Sequence, residues 1–354
     1  MQKIFSNLTV IELAGVLAGP SVGVFFAELG AKVIKIENPK TGGDVTRNWK
    51  LPSEKQSKTS AYYSSVNAGK ETLFLDITEK KSIEKLYKLI KKADVVITNF
   101  KSGHDKKLGV DYKSLSKINP GLIYASINGF GKKSERTAYD LILQAETGFM
   151  FMNGEKGSQP LKMPVALIDV LAGHQLKEAI LIALLKRRDT KKGCRISVSL
   201  FDSAIASLVN QATNWLIGGE IPQAQGSLHP NISPYGELFL TKDKQLVTFA
   251  VGNDKQFDKL CTILDVPTLS AKPEFSSNQN RVKNREKLYE LMKQPVKKIN
   301  FKQLYAKCLE AEVPIGKVRN LKEVFELPEA REMLAKVKIE GKKQTVVKSV
   351  AFKF

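Results

Sequence analysis

Through residues 1–205 the apolar positions fall into short dense runs, separated by stretches in which they recur every three or four residues. LTVIEL (8–13), KVIKIE (32–37), ETLFLDI (71–77), DVVITNF (94–100), LIYASIN (122–128) and RISVSLF (195–201) have the length and β-branched content of buried strands. VGVFFAELG, TEKKSIEKLYKLIKKA, YDLILQAETGFM and LKEAILIALLKR carry the helical period between them. Strands that alternate with helices predict a doubly wound, mostly parallel, Rossmann-like α/β sheet. Near residue 226 the texture changes. QLVTFAVGN and VPIGKV have strand patterns, while DKQFDKLCTILD, RVKNREKLYELMKQ and FKQLYAKCLEAE are helical. The expected organisation is a large domain over 1–205, a linker over 206–225, a smaller α+β domain over 226–320, and a C-terminal arm over 321–354. That arm, ending in the strand-like SVAFKF, is expected to return to the large domain.

Composition narrows the picture only a little. An apolar fraction of 42% and a charged fraction of 26% are those of a soluble globular protein. No run approaches the ~18 apolar residues of a membrane span, and a strand pattern begins too early for a signal peptide. Cys194, Cys261 and Cys308 are widely spaced and form no C-x-x-C pair, which fits a reducing compartment and no zinc site. A cytoplasmic protein without a metal is expected. The formal charge of +20 raises the question of nucleic acid. The lysines, however, are spread over helix faces with no accompanying binding motif, so neither specific nucleic acid nor membrane is expected as a partner.

Candidate chemistry begins with MPVALIDVLAG (163–173), where Asp169 is the single charge just ahead of a long apolar helix. A carboxylate there either complements the positive end of the helix dipole or serves as a reactive group. The first turn, GVLAG (15–19), lacks the G-x-G-x-x-G spacing of a dinucleotide site. The histidines His104, His174 and His229 do not form a metal or triad pattern with it.

Taken together, the segments resemble a family. VIELAGVLAGP, LGAKVIKIENP, NAGK, ADVVITNF, LIYASINGFG, YDLILQAETG, ALIDVLAG and LLKRRDTKKGCRISVSLFDS occur in the order found in class III CoA-transferases. This is the carnitine dehydratase/bile-acid-inducible CaiB/BaiF group, which includes formyl-CoA transferase. SLHPNISPYGELFLTKD and EVPIGKVRNLKEVFELPEARE continue the likeness through the rest of the chain. The resemblance implies an interlocked homodimer and CoA transfer from an acyl-CoA to a small carboxylic acid, with CoA as substrate and no permanently bound cofactor. It implies that Asp169 attacks the thioester to give an acyl-aspartyl anhydride, which CoA thiolate converts to an aspartyl-CoA thioester. A first-turn carboxylate, kept ionised by backbone N–H groups and the dipole, suits that role. Gly173, one turn on, would leave room for the thioester.

The likeness also places the CoA contacts. Val16, Leu17 and Ala18 would lie along the nucleotide. Asn67 and Lys70 of NAGK would sit near the phosphates, with Asn99, Phe100 and Lys107 beside them. Asn38 stands where an arginine is common, and Lys107 likewise replaces an arginine, which loses the bidentate guanidinium geometry. Tyr139 would border the substrate pocket. Related acyl-CoA racemases carry Gly-His-Asp where this chain has Ala138-Tyr139-Asp140. A phenol with a pKa of about 10 is a poor base for an α-proton at neutral pH, so a 2-methylacyl-CoA racemase is the second reading. A CoA-binding protein without catalysis is the third. The glycine run of formyl-CoA transferase has no counterpart beyond AVGN (250–253), so oxalate and formate chemistry is not indicated.

Overall fold

The computed structural model describes residues 3–55, 59–131, 134 and 136–353. The dense apolar runs become the strands β1 (Thr9–Leu13), β2 (Lys32–Glu37), β3 (Glu71–Phe74), β4 (Val95–Thr98), β5 (Ile123–Asn128) and β6 (Cys194–Ser199). All pair in parallel, in the order β3-β2-β1-β4-β5-β6. Parallel strands need crossover helices, and these cover both faces of the sheet, so alternate residues are buried on each side. Val10, Val33, Val95, Ile97 and Ala125 pack on one face with Phe26, Ile168, Ala172 and Leu176. Ile11, Ile34, Val96 and Tyr124 pack on the other with Leu86, Ile90 and Leu115. That two-sided burial is why the strands have no polar alternation in sequence.

Strand order reverses between β1 and β4, so the connections leaving these two strands diverge and open a crevice beyond their C-terminal ends. The first helix (Ala18–Glu28) follows β1, and Pro20 is tolerated there because it lies in the first turn. The long helix (Leu167–Thr190) packs against the first helix.

The chain forms two compact units. The first comprises 1–150, 162–222 and 331–354, and the second 151–161 and 223–330. Within 206–225, expected to be a linker, Val209–Leu216 is helical. YDLILQAETGFM is two helices, Asp140–Glu146 and Phe149–Met152, broken by Gly148 at φ 86. In the tail the strands precede SVAFKF. β10 (Leu334–Ile339) and β11 (Lys342–Val347) form an antiparallel hairpin, and 349–353 is irregular. The second unit has a three-stranded antiparallel sheet, β7 (Tyr235–Leu240), β8 (Leu246–Ala250) and β9 (Ile315–Lys317). Phe239, Phe249, Phe257, Leu260, Met292 and Leu304 build its separate core.

Candidate active site

A cleft of about 310 Å³ opens at the switch point within the first unit. Its walls come from Gly15–Ala18 after β1, Asn99–Gly103 after β4 and Gly129 after β5, together with Tyr139, Asp169 and Leu200. Val16 holds φ 69, which costs a β-branched residue about 1–3 kcal/mol. Hydrogen bonds from outside the turn keep it there: Asn99 Oδ1 accepts from Gly15 N at 3.1 Å and Asn99 Nδ2 donates to Gly15 O at 2.8 Å.

Asp169 lies in the first turn of the long helix and is 8% exposed. Asp140, at the start of the helix Asp140–Glu146, reaches across to that turn. Its Oδ1 accepts from Ile168 N at 2.7 Å and from Asp169 N at 3.4 Å. Gln144 braces it, donating to Asp140 Oδ2 at 2.6 Å and accepting from Met163 N at 2.8 Å. A second carboxylate therefore occupies the helix N–H groups. Burial first, and then the Asp140 charge, push the Asp169 carboxyl from its ordinary 3.8 up to about 7. This reverses the expectation that the dipole and backbone N–H groups hold it ionised: desolvation and a like charge outweigh the dipole here. Tyr62, whose ring meets Trp49 edge-on at 5.1 Å, is pushed up to about 12 by burial and by the charges of Asp169, Asp140 and Asp44.

Of the residues expected from sequence, the cleft brings together Val16, Leu17, Ala18, Asn99, Phe100, Tyr139 and Asp169. It does not include Asn38, Asn67, Lys70 or Lys107. Lys70 is wholly buried beneath the first helix, where its Nζ donates to Glu12 at 2.7 and 2.9 Å, Pro20 O at 2.9 Å and Asn67 Oδ1 at 3.0 Å. Burial lowers its pKa to about 8. The Lys70 ammonium is thus engaged inside the fold, and neither Lys70 nor Asn67 reaches the cleft wall where the phosphate contacts were expected. Asn38 Oδ1 caps a short 3₁₀ turn by accepting from Lys40 N at 2.9 Å. Lys107 is exposed at the end of the short helix His104–Lys107, on the surface outside the cleft wall. Gly173 faces the first helix and not the cleft: a Cβ there would lie 2.4 Å from Ser21 Oγ.

The cleft has other cations that the motifs did not single out: Lys101, Arg136 and Arg195. Lys101 Nζ donates to Thr137 Oγ1 at 3.0 Å. Arg136 stacks its guanidinium 3.8 Å above the Phe130 ring and pairs with Glu146. Arg195 was within a quoted motif but carried no assignment there, because a strand pattern does not say which strand residues reach a cleft. Asp140 was visible only as the last residue of Ala-Tyr-Asp. Tyr62 and Asp44 have no sequence signal. Among the described residues, no group of three or more His, Cys, Asp or Glu side chains is placed to hold a metal. None of their helices is long and apolar enough to cross a membrane.

Residues 5–354 match the family described as CoA-transferase family III. The chain belongs to CoA-transferase family III. It is 38% identical over 352 residues to the succinate–glutarate CoA-transferase of Agrobacterium fabrum, covering 98% of this chain and 87% of that protein. To the acetyl-CoA:oxalate CoA-transferase of Acetobacter aceti it is 36% identical over 342 residues, 94% of this chain and 85% of that one. The crystal structure of a CaiB/BaiF family protein from Brucella suis shares the fold at a TM-score of 0.84 and 38% identity, covering 98% of this chain and 91% of that one. Proteins of CoA-transferase family III take CoA thioesters as substrates, and both named relatives transfer CoA.

Proposed function

We propose that the protein moves CoA from an acyl-CoA to a dicarboxylic acid, with Asp169 as the covalent nucleophile. One observation carries the reading: a single buried carboxylate stands in the first turn of the long helix, inside the cleft at the switch point of a family III fold. An Asp169 oxygen attacks the thioester carbonyl, the C–S bond breaks, and CoA leaves as thiolate. The thiolate then attacks the aspartyl carbonyl of the mixed anhydride, releasing the donor carboxylate and forming an aspartyl-CoA thioester. The acceptor carboxylate attacks that thioester, expelling thiolate and forming a second anhydride. Attack of the thiolate on the acceptor carbonyl gives the product and restores Asp169. A pKa near 7 makes the ionised carboxylate a stronger nucleophile than an ordinary aspartate while leaving it available at neutral pH.

The choice of a dicarboxylate rests on the names of the two relatives. The second of these is named for oxalate, so the missing glycine run is a weak argument against a short diacid. For the CoA phosphates we propose Lys101, Arg136 and Arg195, which share the cleft with Asn99 and Phe100. We also propose a homodimer, supported by the exposure of Leu216 at 75% and Ile217 at 84%. Sedimentation at the mass of a single chain would overturn it.

The covalent step is tested by intact-mass measurement after incubation with succinyl-CoA. Wild-type protein should gain the mass of CoA less one water, in a form cleaved by hydroxylamine, and D169N should gain none. A folded wild type that turns over without any adduct would remove Asp169 from the proposed role.

A further inference from the structure

The 15–18 turn is held from three sides, and one of the holders lies 28 residues further along the chain. Lys35 Nζ donates to Ala14 O at 2.7 Å, and Asn99 bonds both the N–H and the carbonyl of Gly15. The next N–H, that of Val16, points at Asp44, 3.2 Å from Oδ2 and 3.4 Å from Oδ1. Val16 is the residue at φ 69, a conformation valine keeps only when its surroundings impose it. Asp44 is itself fixed. It is 7% exposed, accepts from Thr46 N at 3.0 Å and Thr46 Oγ1 at 2.8 Å, and pairs with Lys35 Nζ at 3.0 Å. The turn packs directly on this carboxylate: a Cβ at Gly15 would lie in ordinary van der Waals contact, 3.4 Å from Asp44 Oδ2.

We infer that Asp44 is a positioning residue for CoA binding: through the Val16 N–H it holds the turn in the shape that lines the cleft beside Asp169. This rests on the CoA-transfer reading above. Asp44 does not itself line the cleft, so it acts only through the turn. An asparagine has a single acceptor oxygen. In the place of Oδ1 it serves Thr46 but keeps only the longer, 3.4 Å contact to Val16 N and loses Lys35; in the place of Oδ2 it serves Val16 and Lys35 but loses Thr46.

The test compares wild type, D44N, V16G and D44N/V16G, because glycine adopts a positive φ without support. In ligand-free protein, amide exchange over residues 14–18 should quicken about tenfold in D44N. CoA binding, measured by calorimetry, should weaken about tenfold in D44N, with the change in turnover carried by KM rather than kcat. In the V16G background the same D44N substitution should cost less than about threefold, since the strain that Asp44 opposes is gone. An equal loss in both backgrounds overturns the inference, because Asp44 would then act as a fold residue through Lys35. Unchanged CoA binding in D44N overturns it as well. If D44N does not fold, T46V loosens the same carboxylate without altering charge and should weaken CoA binding about threefold. An unchanged affinity in that variant counts against the inference equally. Wild-type protein that binds no CoA overturns the proposed function, and this inference with it.

Discussion

Two carboxylates meet at the start of the long helix. Asp140 takes the helix N–H groups and Asp169 is left buried, with its carboxyl pushed from 3.8 to about 7. Between those values the folded protein keeps a proton that the unfolded chain releases, so the contribution of Asp169 to stability falls as pH rises from about 4 to about 7. D169N is permanently neutral, and we expect it to be more stable than wild type above about pH 7, by up to about 4 kcal/mol. The two should converge below about pH 4, as read by chemical denaturation across that range. Activity should move in the opposite sense. kcat/KM should climb through about pH 7 as Asp169 ionises, and D140N should shift the rise toward acid by about one unit. Burial is the larger cause and remains in D140N, so a return to an ordinary aspartate profile is not expected. A profile unmoved by D140N would mean that the two charges do not interact. R136A should weaken CoA binding by about 1.5–3 kcal/mol, the range for a bond to a charged group, whereas K107A should leave it nearly unchanged. The reverse ranking would restore the surface lysine as the phosphate contact.

At the scale of elements, the first helix rides on a buried ion cluster. Glu12 on β1 receives Lys35 at 3.0 Å and Lys70 at 2.7 Å, and neither lysine side chain is more than 1% exposed. Gly23 is what lets the helix sit there: an added Cβ would fall 1.9 Å from Glu12 Oε2 and 3.0 Å from Lys70 Cε. In an ordinary helix interior alanine is better than glycine by about 1 kcal/mol. Here that gain is set against overpacking, at about 1–3 kcal/mol, and against prising a buried carboxylate from its lysines, which costs about 3–5 kcal/mol. The clash wins. G23A is expected to lower stability by about 3 kcal/mol in equilibrium denaturation. A neutral or stabilising result would show that the cluster can rearrange.

Across the whole molecule, the tail belongs to the first unit although the second unit intervenes in sequence. The Glu28 carboxylate accepts from Ser349 N at 2.9 Å and Val350 N at 3.0 Å, and Arg47 pairs with Glu340. Ile339 is buried beside Tyr63 and Val24, and Val350 joins the core that contains Phe25 and Phe26. Exposing two such aliphatic side chains alone removes on the order of 4 kcal/mol. Deleting 331–354 should therefore lower hydrogen-exchange protection over residues 9–128 and leave that of 235–310 unchanged. Protection lost equally in both ranges would show that the tail stabilises the chain as a whole.

Local pattern alone determined much of this protein. Parallel strands covered on both faces are mostly apolar in short dense runs, so six of the strands and the position of Asp169 at a helix start could be read from the order of residues. The resemblance supplied the family, and with it the expected CoA wall of Val16, Leu17, Ala18, Asn99 and Phe100, all of which do line the cleft. Three things were decided only by tertiary packing. Whether a lysine is surface or core depends on what lies above it, and Lys70 lies under the first helix against Glu12. Whether a carboxylate is ionised depends on burial and on charges distant in sequence, and Asp140 is 29 residues from Asp169. The positive φ of Val16 is held by Asp44, a contact between loops that no local pattern encodes. Sequence order fixes what each residue is and which element it joins; the field and the contacts around it come only from residues that folding brings alongside.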